Sequence, residues 1–362
     1  MAAAVAKPRY QGLVAARRWE HAPATPRADF SLAVGDRLGE LTVIGHLARG
    51  RLTELYQVWS NRHWCALTAK VVAAEHMKGG RMPPSLRKEE RVLARVRHPN
   101  IVQVFGTGDA DGRHYLLMEY LAGPSLFDVL ESLPKRRLHV PDAIRAVMHV
   151  GAAVHYLHRC GWLYRDLKPG NVHLREGIPV LLDFDVVWPL EKESRRPADR
   201  LGTAPYMAPE QVLREPLTPA TDVYGLGALL YELLTGKWPT EEFEEDEDED
   251  WYDDDDDDEE YAAVETAVIP RTTGGSARDL TTRELNARYP QLSQPVVPPR
   301  QRNAQVTSEL EKLILRALEY KPAKRFQTVS GMLAALAPML KGRHRLWPEN
   351  APVERRADTV TR

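Results

Sequence analysis

The chain has 362 residues, 43% of them hydrophobic, and a formal net charge of −2; this is enough apolar material for a sizeable core and excludes a fibre or a wholly disordered chain. The small net charge hides an asymmetry: residues 241–260 contain 17 acidic side chains, interrupted by Phe243, Trp251 and Tyr252, and the remaining chain carries 49 basic against 34 acidic residues. The two cysteines, Cys65 and Cys160, fit neither a metal-ligand spacing nor a secreted disulfide framework, which points to ordinary thiols in a reducing compartment.

Residues 1–34 are rich in Ala, Pro and Arg and read as a flexible basic segment without the apolar core of a signal peptide. No stretch approaches the roughly 18 apolar residues of a membrane span, so a soluble, cytoplasmic protein is expected. Strand patterns follow at residues 41–44, 54–59, 65–72, 101–105 and 115–120, the last after an Asp111–Gly112 turn, with one helix between Ser85 and Arg97. A small, mostly antiparallel sheet with a single helix results. From Leu126 onward helices dominate. Ile144, Val147, Met148, Gly151 and Val154 recur at helical spacing after Pro141–Asp142, and residues 222–234 are apolar nearly all round, the mark of a fully buried helix. Ser308-x-x-Glu311 reads as a capping box before Leu310, Leu313, Ile314, Ala317 and Leu318, with Pro322 as the stop. Residues 241–283 break the pattern and are expected to be mobile; residues 341–362 form a tail.

Four segments carry chemistry. Tyr164-Arg-Asp-Leu-Lys-Pro-Gly-Asn171 is followed twelve residues later by Asp183-Phe-Asp185; Leu67-Thr-Ala-Lys70 precedes them and Gly202-Thr-Ala-Pro-Tyr-Met-Ala-Pro-Glu210 follows. In this order and spacing they resemble the signatures of the eukaryotic-type protein kinase family, especially its bacterial Ser/Thr members, from about Gly35 to Leu340. The resemblance implies an α+β, bilobal protein-kinase-like fold, with a small β-rich N-lobe at 35–120 and a larger α-helical C-lobe at 121–340.

It also assigns roles. Asp166 corresponds to the catalytic base, Lys168 to a phosphate-contacting lysine, and Asn171 and Asp183 to the Mg²⁺ ligands. Lys70 corresponds to the lysine on the α/β-phosphates, paired with Glu89, which lies nine residues before His98-Pro-Asn. Independently, Glu89, Leu93 and Val96 fall at i, i+4 and i+7, on the inward face of the predicted helix, whereas Glu90 points elsewhere and reads as solvated. Met118 corresponds to the gatekeeper, with the backbone of Glu119 and Leu121 holding the adenine edge, and Leu47, Gly50 and Leu55 lie around the nucleotide. Thr203 stands beside the acceptor hydroxyl; Asp222 braces the catalytic loop and Arg325 pairs with Glu210.

The departures from the family are specific. Tyr164 replaces the usual His. The Gly-rich loop aligns with residues 48–55 and keeps only Gly50, Ala48 and Thr53 replacing glycines, which loosens the grip on phosphate. Asp185 replaces the glycine after Asp183-Phe184, and alternation can aim its carboxylate the same way as that of Asp183. The threonine usually phosphorylated before Gly202 is missing; Arg200 and Leu201 stand there, leaving a phosphate on Ser194 bound by Arg165, or no phosphate switch at all. The acidic run is a solvated insertion, a lure for basic substrates, or a partner for the basic N-terminal segment.

The implied function is a protein Ser/Thr kinase using ATP and Mg²⁺, with Mn²⁺ as an alternative metal, on Ser/Thr protein acceptors that include itself, with basic proteins among the expected substrates; no nucleic acid is expected. The competing reading is a nucleotide-binding pseudokinase or regulatory scaffold, which Ala48, Thr53 and Asp185 motivate. A small-molecule phosphotransferase is disfavoured by Thr203 and by Ala208-Pro-Glu210.

Overall fold

The structure, a computed structural model, describes residues 30–50, 52–76, 83–192, 195–240 and 281–340. The basic segment before residue 30, Ser194, the acidic run with its flanks to residue 280, and the tail lie outside the described residues. The described chain divides into two compact units, one formed by residues 30–129 and 169–187, the other by 130–168, 188–240 and 281–340.

The first unit is built on a six-stranded antiparallel sheet of β1 (Arg37–Leu38), β2 (Leu41–Arg49), β3 (Thr53–Ser60), β4 (Cys65–Val72), β5 (Val104–Ala110) and β6 (Arg113–Glu119), in the order β1-β2-β3-β4-β6-β5. Along β3 every second residue, Glu54, Tyr56, Val58 and Ser60, is buried, as a half-covered strand requires. Tyr56 and Val58 join Leu38, Val43, Leu67, Val71 and Leu117 in one core. The strand expected at 101–105 begins instead at Val104, and Ile101 makes only an isolated bridge to Leu181. Glycines weaken a strand, as Gly106 and Gly108 would here, but β6 supplies the ladder and a bulge at Gly106, with φ 144°, absorbs the irregularity. Helix α1 (Pro84–Leu93) stops short of the expected Arg97. Pro99 disfavours helix at His98, and the Arg97 guanidinium turns back to donate to the carbonyls of Leu93 and Val96, both at 2.9 Å.

Order reaches further toward the N-terminus than the expected boundary at residue 35. Phe30 stacks on His46, centroids 4.3 Å apart, and meets Tyr56 edge-on. The Leu32 amide donates to the Tyr56 hydroxyl at 3.1 Å, and Ser31 hydrogen-bonds both Glu54 and Arg113. Glu54 is fully buried, accepts from Tyr56 at 2.5 Å and faces Arg49 and Arg113 at 3.5 Å each. Phe30 and Leu32 alternate inward like a short strand, a signal too brief to stand out in a Pro- and Arg-rich segment. A chain beginning at Gly35 is therefore expected to be about 2 kcal/mol less stable than one beginning at Ala28, from lost apolar burial. Coincident urea midpoints for the two would refute this docking.

The first unit also holds the hairpin Val172–Arg175 and Ile178–Leu181, which the expected boundary at residue 120 had put in the other lobe. Backbone bonds fix it: Leu181 donates to Asn100 O at 2.8 Å, Val102 to Leu181 O at 3.1 Å, and Leu174 to Pro124 O at 2.9 Å.

The second unit is helical. Helix α2 (Val140–Arg159) buries Ile144, Val147, Val150, Gly151 and Val154 along one stripe. Helix α3 (Pro219–Thr235) is buried at every residue from Ala220 to Thr235, as its apolar composition requires. Thr218 caps its start and Gly236, at φ 72°, ends it in the left-handed conformation. Thr281 and Glu284 form a capping box on α4 (Thr282–Arg288), so regular structure begins inside the segment expected to be mobile. Helix α5 (Ser308–Ala317) is capped by Thr307, whose hydroxyl accepts from the Leu310 amide at 3.2 Å, and not by Ser308. Glu311 is thereby freed to accept from the Arg300 amide at 3.0 Å. Helix α6 (Val329–Leu336) packs on α2 and α3. Cys65 and Cys160 are half-buried free thiols, and among the described residues no helix is long and apolar enough to cross a membrane.

Candidate active site

In the first unit, β4 carries Lys70 and α1 carries Glu89. The Lys70 ammonium lies 2.7 Å from Glu89 Oε2 and 2.9 Å from Asp183 Oδ1. Lys70 and Glu89 are buried, and Asp183 is partly open. Burial opposes the charged lysine, but the carboxylates of Asp183, Glu89 and Asp185 outweigh it and hold the Lys70 pKa well above its ordinary value. Burial also pushes the Glu89 carboxyl upward, while Lys70 pulls it back. The negative charge of Asp185 thus also bears on Lys70.

Asp183 sits at φ 58°, a left-handed backbone that L-residues avoid unless their surroundings impose it. Here Phe184 is fully buried and its amide donates to Glu89 Oε1 at 3.2 Å. Asn171 is buried in a 3-10 turn, Pro169–Asn171, whose last carbonyl accepts from the Leu182 amide at 2.9 Å. One short segment therefore sets both oxygen donors. Among the described residues no three His, Cys, Asp or Glu side chains gather as a metal cage. A single carboxylate with an amide carbonyl is nevertheless the sparse hard-oxygen set that suits Mg²⁺, which keeps water and phosphate in its shell.

The remaining nucleotide candidates lie on the same sheet. Leu55 stands across from Ala48 on one side and Lys70 on the other. Leu47 is half-buried on β2, and the Gly50 amide donates to Thr53 O at 2.9 Å, closing the β2–β3 turn. A Cβ at Gly50 would meet nothing nearer than Thr53 O at 3.7 Å. The Glu119 amide is bonded to Gln103 O at 2.9 Å, and its side chain pairs with Arg175, so the side chain is structural. Leu121 is buried just past the end of β6, and Met118 is buried within it. Glu90 is not simply solvated: it accepts from the Thr107 hydroxyl at 3.1 Å.

In the second unit, Asp166 Oδ1 accepts from both the amide and the hydroxyl of Thr203, at 2.9 and 2.7 Å. Lys168 Nζ lies 3.0 Å from Asp166 Oδ2 and donates to the same Thr203 hydroxyl at 2.7 Å. A hydroxyl is thus held between a carboxylate and an ammonium. Asp222, buried at the head of α3, fixes this loop by accepting from the amides of Tyr164 and Arg165, both at 2.8 Å, and from His158 at 2.7 Å. Leu167 packs so closely on α3 that a Cβ at Gly225 would stand 3.1 Å from it.

Sequence reading missed several supports. Gln211 Nε2 donates to the Arg165 carbonyl at 3.1 Å, and Gln291 Nε2 donates to the carbonyls of Ala204 and Met207 at 2.7 and 3.0 Å. The Tyr206 hydroxyl donates to Glu232 at 2.6 Å and accepts from Trp238 at 3.2 Å. Polar side chains at such separations carry no periodic signal.

The comparisons agree with the geometry. A crystal structure of a PknI kinase domain from Mycobacterium tuberculosis matches with a TM-score of 0.57 at 22% identity, over 85% of this chain and 98% of that one. A serine/threonine-protein kinase PknB from Mycolicibacterium smegmatis is 28% identical over 84% of this chain and 43% of its own length; one from Mycobacterium tuberculosis is 26% identical over 87% and 44%. The chain spans less than half the length of these curated relatives. The protein kinase domain model matches residues 41–335, and with that match added to the site the chain belongs to the protein kinase family.

Proposed function

We propose that this chain transfers the γ-phosphoryl group of ATP to serine and threonine hydroxyls of proteins, itself included, in the cytoplasm. One observation carries the reading: the Thr203 hydroxyl is held by both Asp166 and Lys168, the arrangement an acceptor hydroxyl needs beside a base and a cation. In the reaction Asp166 accepts the hydroxyl proton as the oxygen–phosphorus bond forms and the bond to ADP breaks, and Lys168 neutralises charge on the transferring group. Lys70 fits the α/β-phosphates, kept charged and positioned by Glu89. Asp183 and Asn171 would hold Mg²⁺, which when bound supplies charge neutralisation on the phosphates. The 17 acidic residues at 241–260 favour basic acceptors.

The test is transfer of labelled γ-phosphate to the chain and to a basic protein, with Mg²⁺ and with Mn²⁺, followed by phosphoamino-acid analysis. Label on serine or threonine is expected. A second reading, the nucleotide-binding pseudokinase, is favoured by Asp185, whose negative charge adds to that acting on Lys70, and would be adopted if nucleotide binds but neither metal supports transfer.

Asp185 brings its own prediction. Its carboxylate adds negative charge next to the metal-binding Asp183, so Asp185→Gly is expected to change the ratio of Mn²⁺- to Mg²⁺-supported rates by about threefold or more, through altered ligand charge. An unchanged ratio together with unchanged turnover would show that Asp185 is indifferent to the metal.

A further inference from the structure

We infer that Arg175 is a positioning residue for nucleotide choice: it fastens the strand end that carries the adenine-edge candidates to the hairpin that carries the metal-ligand candidates, and this rigidity sharpens the preference for adenine over guanine. The inference rests on the kinase reading above and lies wholly within the first unit. The hairpin Val172–Arg175 and Ile178–Leu181 is closed by a two-residue turn, Glu176 and Gly177 at φ 50° and 84°, which sets Arg175 opposite Ile178. Val172 and Leu174 are buried, so alternation leaves Arg175 on the other face of the strand. At the open end of the same hairpin stand Asn171 and, past Leu182, Asp183. The Arg175 guanidinium grips the Glu119 carboxylate with two prongs: Nε donates to Oε2 at 3.0 Å and Nη2 donates to Oε1. Its third arm, Nη1, donates to the Pro99 carbonyl at 2.9 Å, in the loop that follows the Glu89 helix.

A guanidinium fork fits a carboxylate in one orientation, so the pair fixes Glu119 in direction as well as in distance. The two side chains are 33% and 15% exposed, and the two-pronged geometry sets them apart from a free surface pair. Glu119 Oε1 also accepts from the Gln103 amide at 2.8 Å, while the Glu119 amide donates to Gln103 O at 2.9 Å. The residue is thus held by side chain and backbone together. Just past Leu121 the chain lies on the same hairpin: the Leu174 amide donates to Pro124 O at 2.9 Å, and there is no room for a Cβ at Gly123, which would meet Leu174 O. Adenine offers a donor at its 6-amino group where guanine offers an acceptor at O6. Backbone groups that cannot turn accept one pattern and penalise the other, because the mismatched edge leaves a buried polar group unpaired. A strand end free to shift adapts to either. Arg175 therefore acts through Glu119 and not on the nucleotide itself.

The experiment uses the full chain as wild type, Arg175→Met, Arg175→Lys, Glu119→Gln and the double variant Arg175→Met with Glu119→Gln. Calorimetry gives the Kd of each for ATP and for GTP with Mg²⁺, alongside kcat for transfer to a basic protein and the thermal midpoint. Arg175→Met is expected to lower the ratio of ATP to GTP affinity about fivefold, chiefly by weakening ATP, with kcat at saturating ATP within about twofold of wild type. Arg175→Lys keeps the charge without the fork and should lower the ratio about twofold to threefold. The double variant should fall no further than the more affected single one, since both remove the same link. An unchanged ratio in Arg175→Met, whatever its thermal midpoint, would reduce the pair to a structural tie and overturn the inference, as would full additivity of the two single effects. If Arg175→Met does not fold, Arg175→Lys decides, and a wild-type ratio there is the overturning result. Should ATP bind while no form transfers phosphate, the catalytic reading fails by itself and the affinity ratios still decide. Wild type that binds ATP no more tightly than GTP overturns the inference whatever its activity.

Discussion

Asp166→Asn is expected to lower phosphoryl transfer by about 10²- to 10⁴-fold, the range of a lost general base, with thermal stability and the KM for ATP nearly unchanged. The substitution keeps the size of the side chain and one acceptor oxygen. That oxygen can still receive the Thr203 amide, which now bonds Oδ1 at 2.9 Å. What is lost is the charge that takes up the hydroxyl proton and that holds Lys168 at 3.0 Å. Because Asp222 independently fixes the backbone at Tyr164 and Arg165, the loop keeps its shape without the Asp166 charge. A variant retaining a tenth or more of wild-type label incorporation would remove Asp166 from the role of base.

The parts of this architecture that could be read in advance are those whose cause is local. The strand at 65–72 coincides with Cys65–Val72 because one apolar run, bounded by a turn, fixes both ends. Glu89 was separated from Glu90 by helical periodicity, and the structure places Glu89 on Lys70 and Glu90 on Thr107. The site residues followed from motif order, since each motif is a contiguous peptide whose spacing survives in sequence. Contacts whose cause is distant were missed. Gln291 reaches Ala204 across 87 residues, and Phe30 owes its position to His46 and Tyr56 rather than to its neighbours. The capping register of α5 slipped by one because Thr307 and Ser308 are both good caps, and the choice between them was made where Glu311 meets Arg300. The division into units moved for the same reason: backbone bonds from Asn100, Val102 and Pro124 claim the hairpin at 172–181.

Breaking the Glu210–Arg325 pair is expected to destabilise the second unit by about 3–5 kcal/mol, the cost of leaving one buried charge without its partner. The pair is bidentate, at 2.6 and 2.8 Å, and both residues are about 1% exposed. Arg325 uses all of its donor directions, giving its others to the carbonyls of Ala220, Glu319 and Tyr320, and its guanidinium lies 4.9 Å from the Tyr224 ring centroid. Among the described residues, Glu210 has a second donor only in the Thr221 hydroxyl, at 2.9 Å. The two removals are therefore unequal. Glu210→Ala leaves a guanidinium that still has three carbonyls and a ring, whereas Arg325→Ala leaves a carboxylate with one hydroxyl, a cavity, and three carbonyls stripped of donors. Arg325→Ala should be the more damaging in urea unfolding, and Glu210→Gln, which stays uncharged and keeps its shape, the mildest. Equal losses for Arg325→Ala and Glu210→Ala would mean that the attraction between the two charges, and not the network around Arg325, sets the stability of this corner.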